Sequence, residues 1–588
     1  MTAWTRKFFE IARKLRSYLD AFVSILPRRR EIPHEVTAWV FLRMLGVVYF
    51  FAFFSLGIQI VGLVGHRGIL PAQDYLDMLV HYVGWARFWL APGLCWFLGV
   101  SNGALWFLCF GGAGLSLLLI CDVAPVLVLF LLWIFYLSLT AVCRDFMMFQ
   151  WDMLLLETGF LAIFLAPLRL VPQRPIGPGP EPTVVWLGRW LLFRLVFGSG
   201  VVKLVSGDET WRNLTALTYH YQTQPLPTWI GWYAHQLPLM FQKASTFSVL
   251  VLELIVPCLF LAPRRFRLVG GVLTIAFQIL ILITGNYCFF NLLTMALCIL
   301  LLDDTMWPAA FTQRLTAPGC GIDFSRWGRL FQGARVRQSV SGQSAGGEGS
   351  KERPARGLRW PKPVISVVAA LTILVSGVEF FGLFNYTAPW MTPVGELTTL
   401  LGPFRIINSY GLFAIMTTER PEIIVEGSND EKTWLPYEFK YKPGDPARRP
   451  AFVEPFQPRL DWQMWFAALT SYRQNPWFTN FCARLLKGSP DVLGLLAVNP
   501  FPDAPPRHIR ALVYDYCFND RATREATGNW WSRQFKGYYC PVLSIHARED
   551  PASPLSSADE LMASRHRQPA SSAGVSKTAS PAETPSSQ

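Results

Sequence analysis

Long apolar runs constrain this chain more than any other feature of its sequence. A hydrocarbon core about 30 Å thick needs about 20 apolar helical residues to cross it. Inside that core every backbone amide must be paired internally, which makes helices the default spans. Candidate runs are 39–63, 103–121, 124–142, 153–170, 185–205, 246–262, 267–284, 287–302 and 364–383. The sequence therefore predicts an α-helical polytopic membrane protein with about nine spans.

The composition agrees with a membrane protein and argues against nucleic-acid binding. The chain is 52% hydrophobic and only 16% charged, whereas soluble domains carry about 25% charged residues. Its net charge of +13 is concentrated beside the apolar runs, where basic residues set orientation. We therefore expect membrane lipid, and no nucleic acid, to face the basic segments.

Three basic segments predict the topology. The arm 1–38, the turn 263–267 and the stretch 305–363 are rich in Arg and Lys, so we expect them on the cytoplasmic side. Apolar residues interleave with the charges of the arm, which fits an amphipathic helix on an anionic leaflet or an ordinary cytosolic pre-helix. About nine spans then place loop 206–245 and the C-terminal region on the opposite side.

The chain divides into six predicted segments. They are the basic amphipathic arm 1–38, the membrane domain 39–304, the low-complexity linker 305–363, the last span 364–384, a soluble domain 400–545 and a disordered tail 546–588. Alternating and turn residues in the soluble domain predict a β-rich α+β fold. The expected strands are 409–417, 422–428, 433–441 and 507–518, and the expected helices are 460–469, 477–486 and 490–496.

Polar residues within the membrane domain are costly to bury and therefore informative. They are Asp152, Glu157, Arg194, Lys203, Glu253 and Asn291. Glu157 or Glu253 could pair with Arg194 or Lys203 across helices and orient the bundle. A proton relay or a catalytic role is the alternative interpretation.

Loop 206–245 and the soluble domain carry aromatic and polar residues that fit a partner surface or an interfacial belt. The candidates are Trp211, Arg212, Tyr219, His220, Tyr221, Gln224, Trp434, Tyr437, Trp462 and Trp465. Catalysis by His220 or His235 is a further alternative for the loop. Sequons at Asn213 and Asn385 are candidate glycosylation sites. No metal-ligand spacing or cofactor motif is present, so we expect neither a metal nor a cofactor.

Long specific strings resemble the lipase maturation factor family. They include WDMLLLETGFLAIF at 151–164, YHYQTQPLPT at 219–228, TGNYCFFNLLTMALCILLLDD at 284–304, YGLFAIMTTERPEIIVEGSND at 410–430 and RLDWQMWFAAL at 459–469. The resemblance covers about 39–304 and 400–540. It implies a non-enzymatic chaperone of the endoplasmic reticulum membrane whose lumenal C-terminal domain engages client lipases such as lipoprotein lipase. A bacterial relative would lie in the inner membrane and serve another exported client.

Two other function classes compete with a chaperone. The membrane region is distantly similar to the multi-span domain of vitamin K-dependent carboxylase, and a desolvated Lys203 would be its best candidate base. A lipid-accessible cavity converging on Lys203, His220 and Glu157 would favour that enzyme. A solid bundle with an exposed aromatic face would favour a chaperone. A transporter is less consistent, since the sequence has no internal repeat with paired broken helices.

Overall fold

A computed structural model of the chain describes residues 33–172, 176, 179–316, 359–384, 388 and 391–544. A helical bundle makes up its first part. We number the bundle helices α1 Glu35–Gly57, α2 Asn102–Ile120, α3 Pro125–Cys143, α4 Gln150–Leu165, α5 Pro182–Val205, α6 Leu239–Leu254, α7 Arg264–Thr284, α8 Phe290–Ile299 and α9 Lys362–Gly382. Shorter helices of this part are Ile60–Val64, Ala72–Val83, Arg87–Leu90, Cys95–Leu98, Glu209–Arg212, Ala216–Thr223, Trp229–His235, Ala309–Thr316 and Thr392–Leu401.

Within the described residues, seven helices are long and apolar enough to cross a membrane, fewer than the nine expected. They are α1, α2, α3, α5, α6, α7 and α9, with 3-10 turns extending α3 to Met147 and α6 to Leu261. The other two, α4 and α8, have only 16 and 10 residues.

Local chemistry explains why α4 and α8 are shorter than their apolar runs. The chain turns extended at Ala166, directly before Pro167, because a residue that precedes proline disfavours the helical conformation. At the start of α8, Cys288 takes a left-handed backbone conformation, so the helix begins at Phe290. Neither helix break can be predicted from the apolar residues alone.

One end of the bundle brings together the described residues that border the predicted basic segments, and we call it the basic end. The carboxylate of Asp304 accepts hydrogen bonds from the backbone N–H groups that begin α1, including Glu35 at 2.6 Å and Thr37 at 2.9 Å. Asp303 pairs with Arg264 at 3.3 Å and Arg267 at 3.4 Å. The start of α1, the start of α7 and residues 303–304 before the linker therefore meet at this end. Which side of the membrane this end faces stays a prediction.

The other end of the bundle carries the C-terminal domain, and we call it the domain end. Its strands are β1 Pro421–Ser428, β2 Leu435–Pro436, β3 Glu438–Phe439, β4 Leu496–Val498, β5 His508–Phe518 and β6 Trp531–Ser544. The main sheet is antiparallel, in the order β2–β1–β5–β6, and a second sheet pairs β3 with β4. The helices are α10 Arg459–Ala468, α11 Pro476–Leu486, Pro490–Leu493 and Arg521–Thr527.

Several expectations for this domain need correction. Segment 409–417 is not a strand, because its polar groups bond to the bundle and not to a sheet neighbour. Expected strand 433–441 is reduced to β2 and β3, and expected helix 490–496 ends at Leu493. The long strand β6 was not expected, since its charged residues and Pro541 hide the alternation.

The hydrophobic core runs without interruption from the bundle into the C-terminal domain. Fully buried Tyr49 and Phe53 of the bundle belong to the same core as Phe478 and Phe481 of α11. The two parts are therefore one packed body at the domain end. The arm up to residue 32, most of the linker (317–358) and the tail from 545 lie outside the described residues, as does Asn385.

Candidate functional site

Residues 405–416 join α9 and the following short helix to the sheet domain, and we call this segment the tether. It lies against a buried ion pair between Glu157 on α4 and Arg194 on α5. The second oxygen of Glu157 accepts hydrogen bonds from the Asn408 backbone N–H at 2.9 Å and the Tyr410 hydroxyl at 2.8 Å. Arg194 donates in turn to the Asn408 carbonyl at 3.0 Å. The pair that the sequence suggested thus anchors the tether.

Lys203, near the end of α5, holds the next part of the tether. Its ammonium pairs with Glu253 of α6 at 2.7 Å and donates to the carbonyls of Ser199 at 3.1 Å and Leu412 at 3.0 Å. It also lies 5.1 Å from the ring centre of Trp211. Two hydrogen bonds to backbone carbonyls and one ion pair thus surround the ammonium. Lys203 is therefore a charged structural crosslink rather than a free amine.

A bidentate ion pair joins helix α10 to the bundle. The guanidinium of Arg459 meets both oxygens of Asp152, at 3.0 and 3.1 Å, and both side chains are fully buried. Arg459 also donates to the Phe146 carbonyl at 2.6 Å, and the Tyr136 hydroxyl donates to Asp152. Charged hydrogen bonds with this paired geometry are strong and directional. The C-terminal domain is thereby held in one orientation on the bundle.

Residues between α7 and α8 make a further set of bonds to the domain. The Asn286 amide donates to the Ala451 carbonyl at 2.8 Å and to the Leu226 carbonyl at 3.0 Å. The Glu454 carboxyl accepts from the Tyr287 backbone N–H and, at 3.4 Å, from Asn291. Burial raises the pKa of Glu454 to about 9, so this group is protonated at neutral pH.

The loop after α5 is enclosed between the bundle and the domain. Buried Arg420, at the start of the sheet, donates to the carbonyls of Gln222 at 2.7 Å and Pro225 at 2.9 Å. The Trp232 indole donates to the Asn519 carbonyl at 2.9 Å. Because α6 begins at Leu239, the predicted loop 206–245 is shorter than expected.

The predicted surface residues separate into three groups. Trp211, Tyr221, Gln224, Tyr437 and Trp462 are buried. Tyr219, His220, Trp434 and Trp465 are half-buried, and Arg212 is exposed, as is Asn213. Most of the loop candidates, with Trp462 and Trp465, meet at the junction, whereas Trp434 and Tyr437 contact Arg510 and Phe501 inside the C-terminal domain. Buried Trp211 donates to the Phe413 carbonyl at 3.1 Å, and buried Gln224 donates to the Thr284 carbonyl at 2.8 Å, so both stabilise the junction.

His220 is placed between the loop and the bundle. Its ring Nε2 lies 3.1 Å from the Tyr287 hydroxyl. Burial, together with the nearby charge of Lys203, lowers the pKa of His220 to about 4. The imidazole is therefore neutral at neutral pH.

A cavity of about 430 Å³ lies between the bundle, the tether and α10. Glu253 contributes to its wall, but Lys203, His220 and Glu157 are not among the described residues that line it. This cavity is therefore not the one that would favour the carboxylase-like enzyme. Among the described residues, no group of three or more His, Cys, Asp or Glu side chains could hold a metal ion.

Comparison with known proteins covers both parts that meet at this junction. Residues 36–309 match the lipase maturation factor transmembrane domain, and residues 406–541 match the lipase maturation factor C-terminal domain. The chain is 38% identical to lipase maturation factor 2 of Xenopus laevis, over 88% of this chain and 83% of the relative. The chain belongs to the lipase maturation factor family.

Other members of the family match over a similar share of this chain. Identity to lipase maturation factor 2 of Homo sapiens is 37%, over 86% of this chain and 82% of the relative. Identity to lipase maturation factor 1 of Mus musculus is 36%, over 87% of this chain and 88% of the relative. No solved structure gives a significant match. This family member is a multi-pass membrane protein, as the apolar runs predicted.

Sequence reasoning selected the polar residues of the spans but missed their partners in the C-terminal domain. Arg459, Glu454, Asn408 and Arg420 are buried although they follow the last span. One signal was available for Arg459. It stands in an aromatic helix beside Trp462, and such a helix suits an interface more than a solvated surface.

Proposed function

We propose that this lipase maturation factor homologue is a membrane-embedded chaperone that assists the folding and assembly of secreted lipases. The match of both domains to the family carries the proposal. The geometry supports it, because Asp152, Glu157, Arg194 and Lys203 all bond to groups that fix the C-terminal domain. In this account they build a rigid platform for a client and act on no substrate.

The client would dock on the outer face of the main sheet, which we call the aromatic sheet face. It consists of Trp434, Arg510, Tyr514, Phe535 and Tyr538. Phe535 and Tyr538 on β6 are 53% and 63% exposed. Tyr514 contacts Phe535 with ring centres 5.6 Å apart, and Arg510 lies 4.2 Å from the ring centre of Trp434. Exposed aromatics with arginine are the typical composition of binding hot spots.

Complementation tests the chaperone proposal. The chain is expressed in cells that lack their own lipase maturation factors, together with a dimeric lipase such as lipoprotein lipase. We expect secreted lipase activity per unit of lipase antigen to be restored. A chain of normal abundance in the correct membrane that restores no activity would exclude the proposal for this client class.

Paired substitutions test the aromatic sheet face. Phe535→Ser with Tyr538→Ser should leave abundance unchanged, because both side chains are exposed, and should lower lipase maturation at least fivefold. Val498→Ser is the matched control, since Val498 is 50% exposed on the other sheet of the same domain. Equal maturation by the double variant and the control would exclude this face as the client surface.

We further propose that this protein lies in the endoplasmic reticulum membrane with its C-terminal domain in the lumen. The opposite placement of the basic end and the domain end supports this orientation. Cysteines introduced at exposed Arg212 and Asn429 should react with an impermeant reagent from the lumenal side, and one at Gly347 should not. Reaction at position 347, without reaction at positions 212 and 429, would show the opposite orientation.

A further inference from the structure

The cavity at the domain end has the composition of a lipid-binding site. Its walls come mainly from α4, α5, α6, α7, α8, the tether and α10. Apolar side chains predominate, among them Leu195, Val196, Phe277 and Ile281. Its volume of about 430 Å³ falls within the range of small-molecule pockets, which is about 300–1,000 Å³, and near the lower end of that range.

The cavity reaches both the bilayer region and the domain end. Gln278 lies on α7 six positions before the helix ends at Thr284, or about 9 Å along the axis. The lining residues Met148, Ile415 and Phe466 are 54%, 65% and 40% exposed. A molecule with an apolar chain can therefore enter from the membrane interface.

Three amide side chains line the cavity, and one of them, Gln150, bonds to the backbone of Gly411. Gln278 is 5% exposed and Asn291 is fully buried, and both line the cavity. Oε1 of Gln278 and Oδ1 of Asn291 have no hydrogen-bond partner among the described residues. A buried acceptor without a donor is destabilising, so a ligand that brings hydroxyl groups would be favoured here.

The charge of the wall selects a neutral ligand. Glu253 is the acidic residue of the lining, and its carboxylate is compensated by Lys203 at 2.7 Å. Lys203 itself is behind the wall and is not a lining residue. An anionic head group would meet the carboxylate and the amide oxygens without a free cation, which is unfavourable in a low-dielectric site.

We propose that this cavity binds a neutral single-chain lipid alcohol of the monoacylglycerol class. Its hydroxyl groups donate to Gln278 and Asn291, and its acyl chain contacts the apolar wall. Because a hydroxyl both donates and accepts, it satisfies either orientation of the two amides. The site is separate from the aromatic sheet face, so the inference stands independently of the client proposal.

Photolabelling of the full chain in lipid nanodiscs tests the site. The probe is monooleoylglycerol with a photoreactive diazirine in its acyl chain. We expect saturable labelling that unlabelled monooleoylglycerol displaces and that maps to the cavity wall. Oleate should displace the probe at least tenfold less effectively than unlabelled monooleoylglycerol. Labelling that is unsaturable, that maps elsewhere, or that oleate displaces equally well would overturn the proposal.

Variants separate a bound ligand from a change in folding. Gln278→Leu with Asn291→Leu should weaken displacement by monooleoylglycerol about tenfold, through loss of two hydrogen bonds. Ile281→Trp fills the cavity and should abolish labelling while leaving both amides intact. Gln313→Leu, at an exposed position outside the cavity, is the matched control. Unchanged labelling in a folded Ile281→Trp protein would exclude the cavity as the site.

Discussion

Breaking the buried ion pair between Asp152 and Arg459 should lower the free energy of unfolding by several kcal/mol. The two groups form paired bonds of 3.0 and 3.1 Å and are fully buried. Arg459→Met removes the cation and leaves the Asp152 carboxylate with the Tyr136 hydroxyl as its remaining side-chain donor. Breaking such a buried pair costs about 3–5 kcal/mol, against a total stability of about 5–15 kcal/mol for a typical domain. We expect a large loss of thermal stability and of cellular abundance.

The double variant Asp152→Leu with Arg459→Met provides the decisive comparison. With both charges replaced by apolar groups of similar size, the buried-charge penalty disappears, and stability should return to within about 1–2 kcal/mol of the parent. Because removing either partner alone should cost about 3–5 kcal/mol, the coupling between the two substitutions should be at least about 4 kcal/mol, well above the near-zero value of distant sites. Arg473→Met, an exposed arginine in the same domain, should change stability by less than about 0.5 kcal/mol.

Thermal unfolding in detergent micelles and quantitative blotting measure these effects. If the single variant is as stable as the parent, or if the two substitutions are additive, Asp152 and Arg459 do not form the junction described here. Limited proteolysis adds a structural check, because only the single variants should release the C-terminal domain.

Three further predictions concern groups outside the spans. Burial raises the pKa of Glu454 from 4.5 to about 9, so the folded state holds a proton that the unfolded state releases in that interval. The free energy of unfolding should therefore fall by up to about 1.4 kcal/mol per pH unit between about pH 5 and 9. Glu454→Gln should remove this pH dependence in a series of thermal-unfolding measurements. An unchanged pH dependence in the variant would contradict a protonated Glu454. The buried Cys482 and Cys540 thiols are close enough to shift each other's pKa, so in an oxidising lumen we expect a disulfide between them that stabilises the domain by about 4 kcal/mol, with exposed Cys517 left free. Non-reducing peptide mapping that finds three free thiols would exclude this disulfide. Exposed Asn213 should carry a glycan in a eukaryotic host, detected as a shift on glycosidase digestion that Asn213→Gln abolishes, and absence of the shift would argue against a lumenal loop.

The sequence predicted the bundle well because long apolar runs have few alternatives to membrane helices. Two apolar runs predict helices that are too long, because the backbone breaks the helix at Pro167 in one run and at Cys288 in the other. The pairing of acidic with basic span residues was also anticipated, and the structure joins Glu157 to Arg194 and Lys203 to Glu253.

Contacts between the bundle and the C-terminal domain could not be predicted from the sequence. Arg459 lies 307 positions after Asp152, and no local periodicity encodes a pairing over such a distance. For the same reason the tether resembled a strand, although its residues bond to helices. A truncation before Tyr410 is consequently not a neutral removal of a separate domain, because it removes Arg459 from Asp152 and the Tyr410 hydroxyl from Glu157.

We infer that the charged residues of the spans hold the junction together and do not perform chemistry. Client lipase activity per unit of protein, measured for substitutions of Lys203 and its partner Glu253, tests it most directly. Lys203→Arg keeps the charge and should retain much of the function. Lys203→Met alone should lower abundance severalfold, and adding Glu253→Met should restore it, with activity per molecule within about twofold of the parent throughout. Normal abundance of Lys203→Arg and Lys203→Met, with activity per molecule reduced about a hundredfold or more in both, would identify Lys203 as a catalytic base and contradict the account.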